Sequence, residues 1–355
     1  MRLTGSQSKP DAQQLIAAAA REFTVGHLSA AAAYTANALV RSPALPGAHE
    51  LITRLAAHPD GGLQLFPLDA PLTLANVLGH AHAAAAKREF DKALLLLGKA
   101  QAFAPHTPWA DVPWVADPAT AAAANPQVVT NLTVDLNSII GDLDEARRLP
   151  VASPYLRLVR NATDAHPNHA PLHGSAGFLF RRFDAGEAAR YAERSEELNP
   201  SSPAAVALAL IYRDQGRTED SVQAIKRAVE RDGRNPERYS DACDLLLKAG
   251  RTAEARGYAL RGLDIDPRHA CCEISATAAE FCQTRRSEHF DRLIQLTKTP
   301  PRRKSRLQPR CRGHAPGGGG DWKPDSYPAG FAQANEAAAQ ARTPQSTEKL
   351  GLIVS

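Results

Sequence analysis

The sequence predicts an all-α protein. Alanine runs such as Ala17 to Ala20, Ala30 to Ala33, Ala83 to Ala86 and Ala121 to Ala124 favour helix, and alternating stretches of Val, Ile and Thr are nearly absent. A length of 355 residues with 43% apolar side chains is enough for a large core, or for the distributed core of a stack of repeats. A third observation is decisive: helical segments recur at a fixed spacing, punctuated by small residues.

Two adjacent segments show the period best, one beginning at Ser202 and the other at Pro236, 34 residues later. In the first, Tyr212, Gly216, Ser221 and Ala228 fall at repeat positions 11, 15, 20 and 27, counting from Ser202. In the second, Leu246, Gly250, Ala255 and Gly262 take those places, with Pro267 at position 32. Glycine at the turn supplies the left-handed conformation that ends the first helix. Small residues let two helices approach closely, and proline stops the second helix because it cannot continue the hydrogen-bond ladder.

The sequence thereby resembles the tetratricopeptide repeat (TPR) family. Upstream, the unit from His169 carries Ala176, Ala188, Ser195 and Pro200, with Phe183 where the turn glycine is expected. The unit from Leu74 carries Ala81, Phe90, Ala93, Ala100 and Pro105, and the unit from Ala12 carries Ala19, Gly26, Ala31, Ala38 and Pro43. Turns are therefore expected near Gly26, Arg88, Phe183, Gly216 and Gly250. A looser unit over 127–168 has Gly141 and Ala146 in place, but Pro150 and Pro154 are expected to interrupt its second helix. Residues 46–73 hold one helix-like stretch, Glu50 to Ala57, and read as a connector; 270–299 reads as an atypical terminal repeat.

The resemblance implies a right-handed α-solenoid over residues 12–299, preceded by a short extension over 1–11. From Pro300 the composition turns rich in Pro, Gly and Arg, so the tail over 300–355 is expected to be disordered. Arg302, Arg303, Lys304, Arg306, Arg310 and Arg312 lie there with no acid among them. Without these six charges the formal net falls from +4 to −2, so the basic character belongs to the tail. The cluster has neither interleaved aromatics nor a recognition helix, and nucleic acid is not expected as a partner. No window approaches the roughly 20 apolar residues of a membrane span, and the amino terminus lacks a signal-peptide core, so the expected location is cytoplasmic.

Catalytic signatures are missing: there is no phosphate-binding glycine–lysine loop, no nucleophile elbow and no zinc-protease helix. Neither a cofactor nor a metal is expected. His80 and His82, and the group His166, His169 and His173, lack acidic or thiolate partners at ligand spacing and are expected to be solvent-facing turn residues. The five cysteines contain no Cys-x-x-Cys pair and are expected to be reduced and mostly packed. Adjacent Cys271 and Cys272 open a helix whose dipole favours a thiolate, with His269 as the candidate base, but packing is the expected role. Trp109 and Trp114, in the proline-rich stretch 104–126, are expected to plug gaps between helices.

Membership of the TPR family would make the chain a non-enzymatic scaffold or adaptor, with a peptide or protein segment held in a concave groove lined by first helices. The groove positions fall here on His173, Phe180 and Arg181, then Val206, Leu210, Arg213 and Asp214, then Ser240, Asp244, Leu247 and Lys248. That lining suits a segment with carboxylates and apolar side chains. The alternative is the regulatory portion of a protein similar to bacterial TPR–sulfotransferases; the catalytic phosphate loop of that family occurs nowhere in the chain.

Overall fold

The computed structural model describes residues 10–69 and 72–298; the expected amino-terminal extension lies mostly outside this range, and the expected disordered tail lies wholly outside it. All regular structure in the described residues is helical. They fall into two compact units that divide between Leu198 and Asn199.

In the first unit, α1 (Ala12–Thr24) pairs with α2 (Leu28–Arg41), and α3 (Pro46–Ala57) follows. A short 3-10 turn, Leu63–Leu65, leads to the pair α4 (Leu74–Ala86) and α5 (Phe90–Phe103). Two short helices, α6 (Pro113–Ala116) and α7 (Pro118–Ala123), precede α8 (Pro126–Gly141), α9 (Glu145–Ala165), α10 (Ala170–Phe180) and α11 (Ala185–Leu198). The second unit comprises three pairs: α12 (Ser202–Asp214) with α13 (Thr218–Arg231), α14 (Pro236–Lys248) with α15 (Thr252–Ile265), and α16 (Ala270–Thr284) with α17 (Ser287–Lys298). Helix breaks fall at each of the five expected turns.

First helices open on side-chain caps. Asp11 and Gln14 form a reciprocal capping box on α1, and Thr73, Asn125, Ser201 and Asn235 accept from the first-turn amides of α4, α8, α12 and α14. Second helices α2, α5, α13 and α15 have no such cap. They start immediately after a left-handed residue that reverses the chain: Gly26 (φ 82°), Arg88 (φ 62°), Gly216 (φ 72°) and Gly250 (φ 73°). Phe183, in contrast, takes no positive φ. There the amides of Phe183 and Asp184 both donate to the Phe180 carbonyl, and the chain reverses through a right-handed turn that needs no glycine.

The small positions form the seams. Ala19, Ala31, Ala81, Ala93, Ala176, Ala188, Ala228 and Ala255 are completely buried. Two seams are pinned by a serine that reaches the opposite helix: Ser195 Oγ donates to the Ala170 carbonyl (2.9 Å) and Ser221 Oγ to the Ala209 carbonyl (2.7 Å). At Gly262 a methyl group would stand 2.5 Å from Cys272 Sγ and 3.0 Å from Tyr239 Cβ, so a larger residue there would force this seam of the second unit to shift.

Two regions depart from expectation. Pro150 and Pro154 do not interrupt the second helix of the looser unit; α9 runs through both for 21 residues. Each proline removes one backbone donor at a cost of roughly 3 kcal/mol. The helix is held by a buried stripe of Val151, Ala152, Tyr155, Leu158, Val159 and Ala162, whose period is that of a helix and not of a break. The connector is also more structured than its composition announces. Phe66 (1% exposed) packs onto α4 at Gly79, where a methyl group would meet the Phe66 ring at 2.2 Å, and His80 Nδ1 donates to the Phe66 carbonyl (2.9 Å).

Turn chemistry and the connector give two expected outcomes. Nothing lies within 4 Å of a methyl group added at Gly216, so Gly216→Ala acts through φ alone and is expected to cost about 1 kcal/mol, whereas Arg88→Gly relieves the same strain and is expected to be neutral or stabilising by up to about 1 kcal/mol. Urea unfolding of the two variants measures both signs. At Gly79, alanine collides with a buried ring and is expected to destabilise the first unit by about 1 to 3 kcal/mol; a melt unchanged by Gly79→Ala would show that the connector is not docked as described.

Candidate partner-binding site

The first helices of the second unit have their apolar stripes buried against their neighbours and leave another face partly open. On α12, Val206, Leu210 and Arg213 recur at helical spacing and are half-buried, with Asp214 exposed beside them. Arg213 is not an idle cation: Nε and Nη2 donate to Asp214 Oδ1 at 2.9 and 2.7 Å. On α14, Lys248 is exposed and Asp244 is half-buried, accepting from Ser275 Oγ of α16 at 3.0 Å. Ser240 Oγ lies 3.4 Å from the same Ser275 hydroxyl, so a short polar chain joins two first helices.

Four of the expected groove residues are interior: Phe180, His173, Ser240 and Leu247, the last 2% exposed. Phe180 has no exposed surface and packs on Tyr191, with the Arg160 guanidinium 4.8 Å from its ring centre. His173 is buried, its Nε2 donating to the Pro167 carbonyl (3.1 Å), and Ser240 is buried in the seam to α16. Burial removes these side chains from any partner's reach. Arg181, which follows α10 in the first unit, is half-buried. The cations Arg213 and Lys248 both stand in the last turn of a first helix, where they also complement the helix dipole.

Besides Asp244, α14 carries two further carboxylates that were not among the expected groove residues. Glu237 and Asp241 lie one turn apart on it, and Asp241 pairs with Arg238 at 2.9 Å. Burial pushes the Asp241 carboxyl up, partly countered by Arg238. Cys271, exposed at the start of α16, feels these groups: burial and then Asp244, Glu237 and Asp241 raise its thiol above the ordinary range. Cys272 is buried and pushed up to about 12, chiefly by desolvation; its Sγ donates to the Pro236 carbonyl at 3.2 Å. The amide dipoles of α16 are thus outweighed, and neither residue is a thiolate at neutral pH. His269 caps the helix by accepting from the Cys272 amide.

Three of the five histidines expected to face solvent do not, while His166 and His169 are half-buried. His80, His82 and His173 are all buried, and several hold backbone carbonyls in place of a missing donor. His49 Nε2 reaches the Pro43 carbonyl (2.6 Å) and His166 Nε2 the Ala121 carbonyl (3.1 Å). His166, Pro167, Asn168 and His169 line an open hollow of about 340 Å³ with Pro126. Trp109 plugs the core as expected, 2% exposed, with its indole N–H on the Ala104 carbonyl (2.9 Å). No helix among the described residues is long and apolar enough to cross a membrane.

No family model and no curated protein matches the chain. Solved structures similar to it include YrrB, described as a TPR protein with an unusual peptide-binding site, at 17% identity over 49% of this chain and 87% of that one, with a TM-score of 0.38. A tetratricopeptide repeat protein from Parabacteroides merdae is similar at 14% identity over 81% and 92% (TM-score 0.38), and TTC0263 from Thermus thermophilus at 16% over 66% and 99% (TM-score 0.32). At these scores the likenesses add nothing to what the phased helix pairs establish by themselves. The expected kinship with TPR–sulfotransferases finds no support in them.

The thiol environments give a further expected outcome. In a Cys311→Ser background at pH 7.5, Cys271 is expected to react with an aromatic disulfide reagent at the slow rate of a raised thiol, and Cys272 only on unfolding. Mass spectrometry of partially labelled protein reads the order; prompt labelling of Cys272 in the folded chain would contradict its burial.

Proposed function

We propose that the chain is a non-enzymatic scaffold whose first-helix faces hold a segment of another protein. The supporting observation is the arrangement of α12 and α14: helix pairs bury their small residues against each other, while Leu210, Arg213, Asp214, Asp244 and Lys248 remain partly open on neighbouring first helices. On the first unit, taken by itself, Arg181 is the candidate contact. His173, Phe180 and Ser240 support the faces from within. The partner is a peptide or protein segment with apolar side chains and a carboxylate, the carboxylate seated toward Arg213 and Lys248 and away from Glu237 and Asp241, where like charges meet.

Asp214 already occupies Arg213, so an incoming carboxylate competes with an internal one. The gain is the difference between two ion pairs, and specificity comes from the apolar neighbour Leu210 as much as from charge.

Affinity capture on the full chain, followed by titration calorimetry with the recovered segment, tests this reading. Replacing Arg213 and Lys248 together with alanine is expected to weaken binding tenfold or more, from about 1.5 kcal/mol or more of lost charge-assisted hydrogen bonding, with the melting temperature little changed. Unchanged affinity would remove both cations from the site, and a collapsed melt would make them structural.

A further inference from the structure

In the first unit the proline-rich stretch between α5 and α8 touches α4 through one polar contact. Trp114 Nε1 lies 2.9 Å from His82 Nδ1. An indole nitrogen only donates, so His82 Nδ1 must carry a lone pair, and the proton of the neutral imidazole sits on Nε2. A second proton can be accommodated only at Nδ1, where the indole hydrogen already points. The closed contact and the imidazolium are therefore mutually exclusive. His82 is 3% exposed, its Nε2 finds no hydrogen-bond partner, and its ring stands edge to face against His49 with centres 4.7 Å apart.

We propose that Trp114, His82 and His49 form an acid-released latch, which at neutral pH holds the Trp114 indole over the alanine-lined surface of α4 and α5 and lets it swing out when His82 is protonated. Beneath the half-buried Trp114 lie Ala84, Ala85 and Ala93, with Leu63 alongside. The stretch is tethered at both ends by donors that survive acid: Gln101 Nε2 holds the Pro105 and Thr107 carbonyls, and Asn161 Nδ2 holds the Ala116 carbonyl at 3.1 Å. Trp109, Val112 and Val115 anchor the stretch in the core, so the part that can move is the Trp114 indole, whose acceptor is titratable.

The charged groups on the surrounding elements do not offer His82 a counter-charge. On α2, Arg41 is bonded to the Pro10 carbonyl. On α3 the facing group is His49, itself basic. His80 and Lys87 belong to α4 and its end, and the 3-10 turn contributes Leu63, Gln64 and Leu65, none of them charged. Beside α5, Glu89 pairs with Lys92 and Asp91 accepts the Asn125 amide. On the stretch, Asp111 pairs with Arg157 and Asp117 caps α7.

Burial, and then His49, pulls the His82 imidazole down to about 3, and His49 is lowered too, chiefly by burial. Lifting of the indole returns His82 toward water and an ordinary value near 6.5. Since the closed pKa is the depressed one, closure is fully favoured above about pH 6.5 and weakens tenfold per pH unit as the pH falls toward 3. At pH 5 the balance between lifted and closed forms is shifted about 30-fold relative to neutral pH.

The test uses the full chain labelled with 15N-indole tryptophan, the Trp114 signal being identified by its loss in Trp114→Phe. Between pH 7.5 and 4.5 that signal is expected to move and its solvent exchange to rise, while the Trp109 signal and the far-UV circular dichroism stay constant. His82→Gln keeps an acceptor but does not titrate, and is expected to hold Trp114 protected across the range. Should that variant fail to fold, His49→Phe serves instead; removing the facing imidazole is expected to move the Trp114 transition to lower pH. A Trp114 signal that never moves, an identical transition in His82→Gln or His49→Phe, or a transition that coincides with loss of helix would each overturn the latch.

Discussion

Close approach of paired helices is the constraint on which the rest depends. Ala81 with Ala93, Ala176 with Ala188, and the serine bridges from Ser195 and Ser221 bring helix backbones near enough that nothing larger fits at those positions. Once the seams are closed, the directions of the remaining side chains follow. Apolar residues on the flanks of each first helix turn inward against the next pair, and the residual face carries whatever the sequence places there. Stability is therefore lodged in small residues, and surface chemistry in positions that stability does not dictate.

That separation explains which parts of the fold were legible. Turns announced themselves because only a few residues tolerate a left-handed backbone, and even Arg88 could be located by its phase between Ala81 and Ala93. Phase located the Phe183 turn too, although a right-handed turn there makes glycine unnecessary. The continuity of α9 was hidden because local chemistry argued against it. Pro150 and Pro154 are strong local signals, and the stripe from Val151 to Ala162 that outweighs them gains its strength only from neighbours that sequence does not display. The connector was opaque for a similar reason: Phe66 and Gly79 are 13 positions apart in sequence, and neither residue alone signals a ring resting on a helix backbone.

The candidate face was legible in its outline and not in its details. Helical spacing located Leu210, Arg213, Asp214, Asp244 and Lys248 on open faces. It failed for Phe180, His173, Ser240 and Leu247 because a position count says where a side chain leaves the helix, not whether a neighbour covers it. Phe180 is drawn under Tyr191 and capped by the Arg160 guanidinium, which Glu187 holds in turn at 2.7 Å. Charge was misleading in the same way. The arginines on the face looked available, but the internal pairing of Arg213 with Asp214 is invisible in a list of residue types.

Histidine illustrates how the interior of this chain handles polarity. Helix ends and proline-bearing turns leave carbonyls without donors, and the imidazoles of His49, His80, His166 and His173 supply them with one nitrogen each. A ring used in this way donates through one nitrogen, and at His49 and His173 burial also lowers the imidazole's pKa. Of the buried imidazoles His80, His82 and His173, it is His82 that reverses the pattern: it accepts, from an indole, and the bond depends on a lone pair that a proton can take. Donating histidines keep their bonds when protonated, whereas an accepting histidine loses its bond. The direction of one hydrogen bond, more than the presence of the ring, thus decides which of these buried imidazoles makes a structure sensitive to acid.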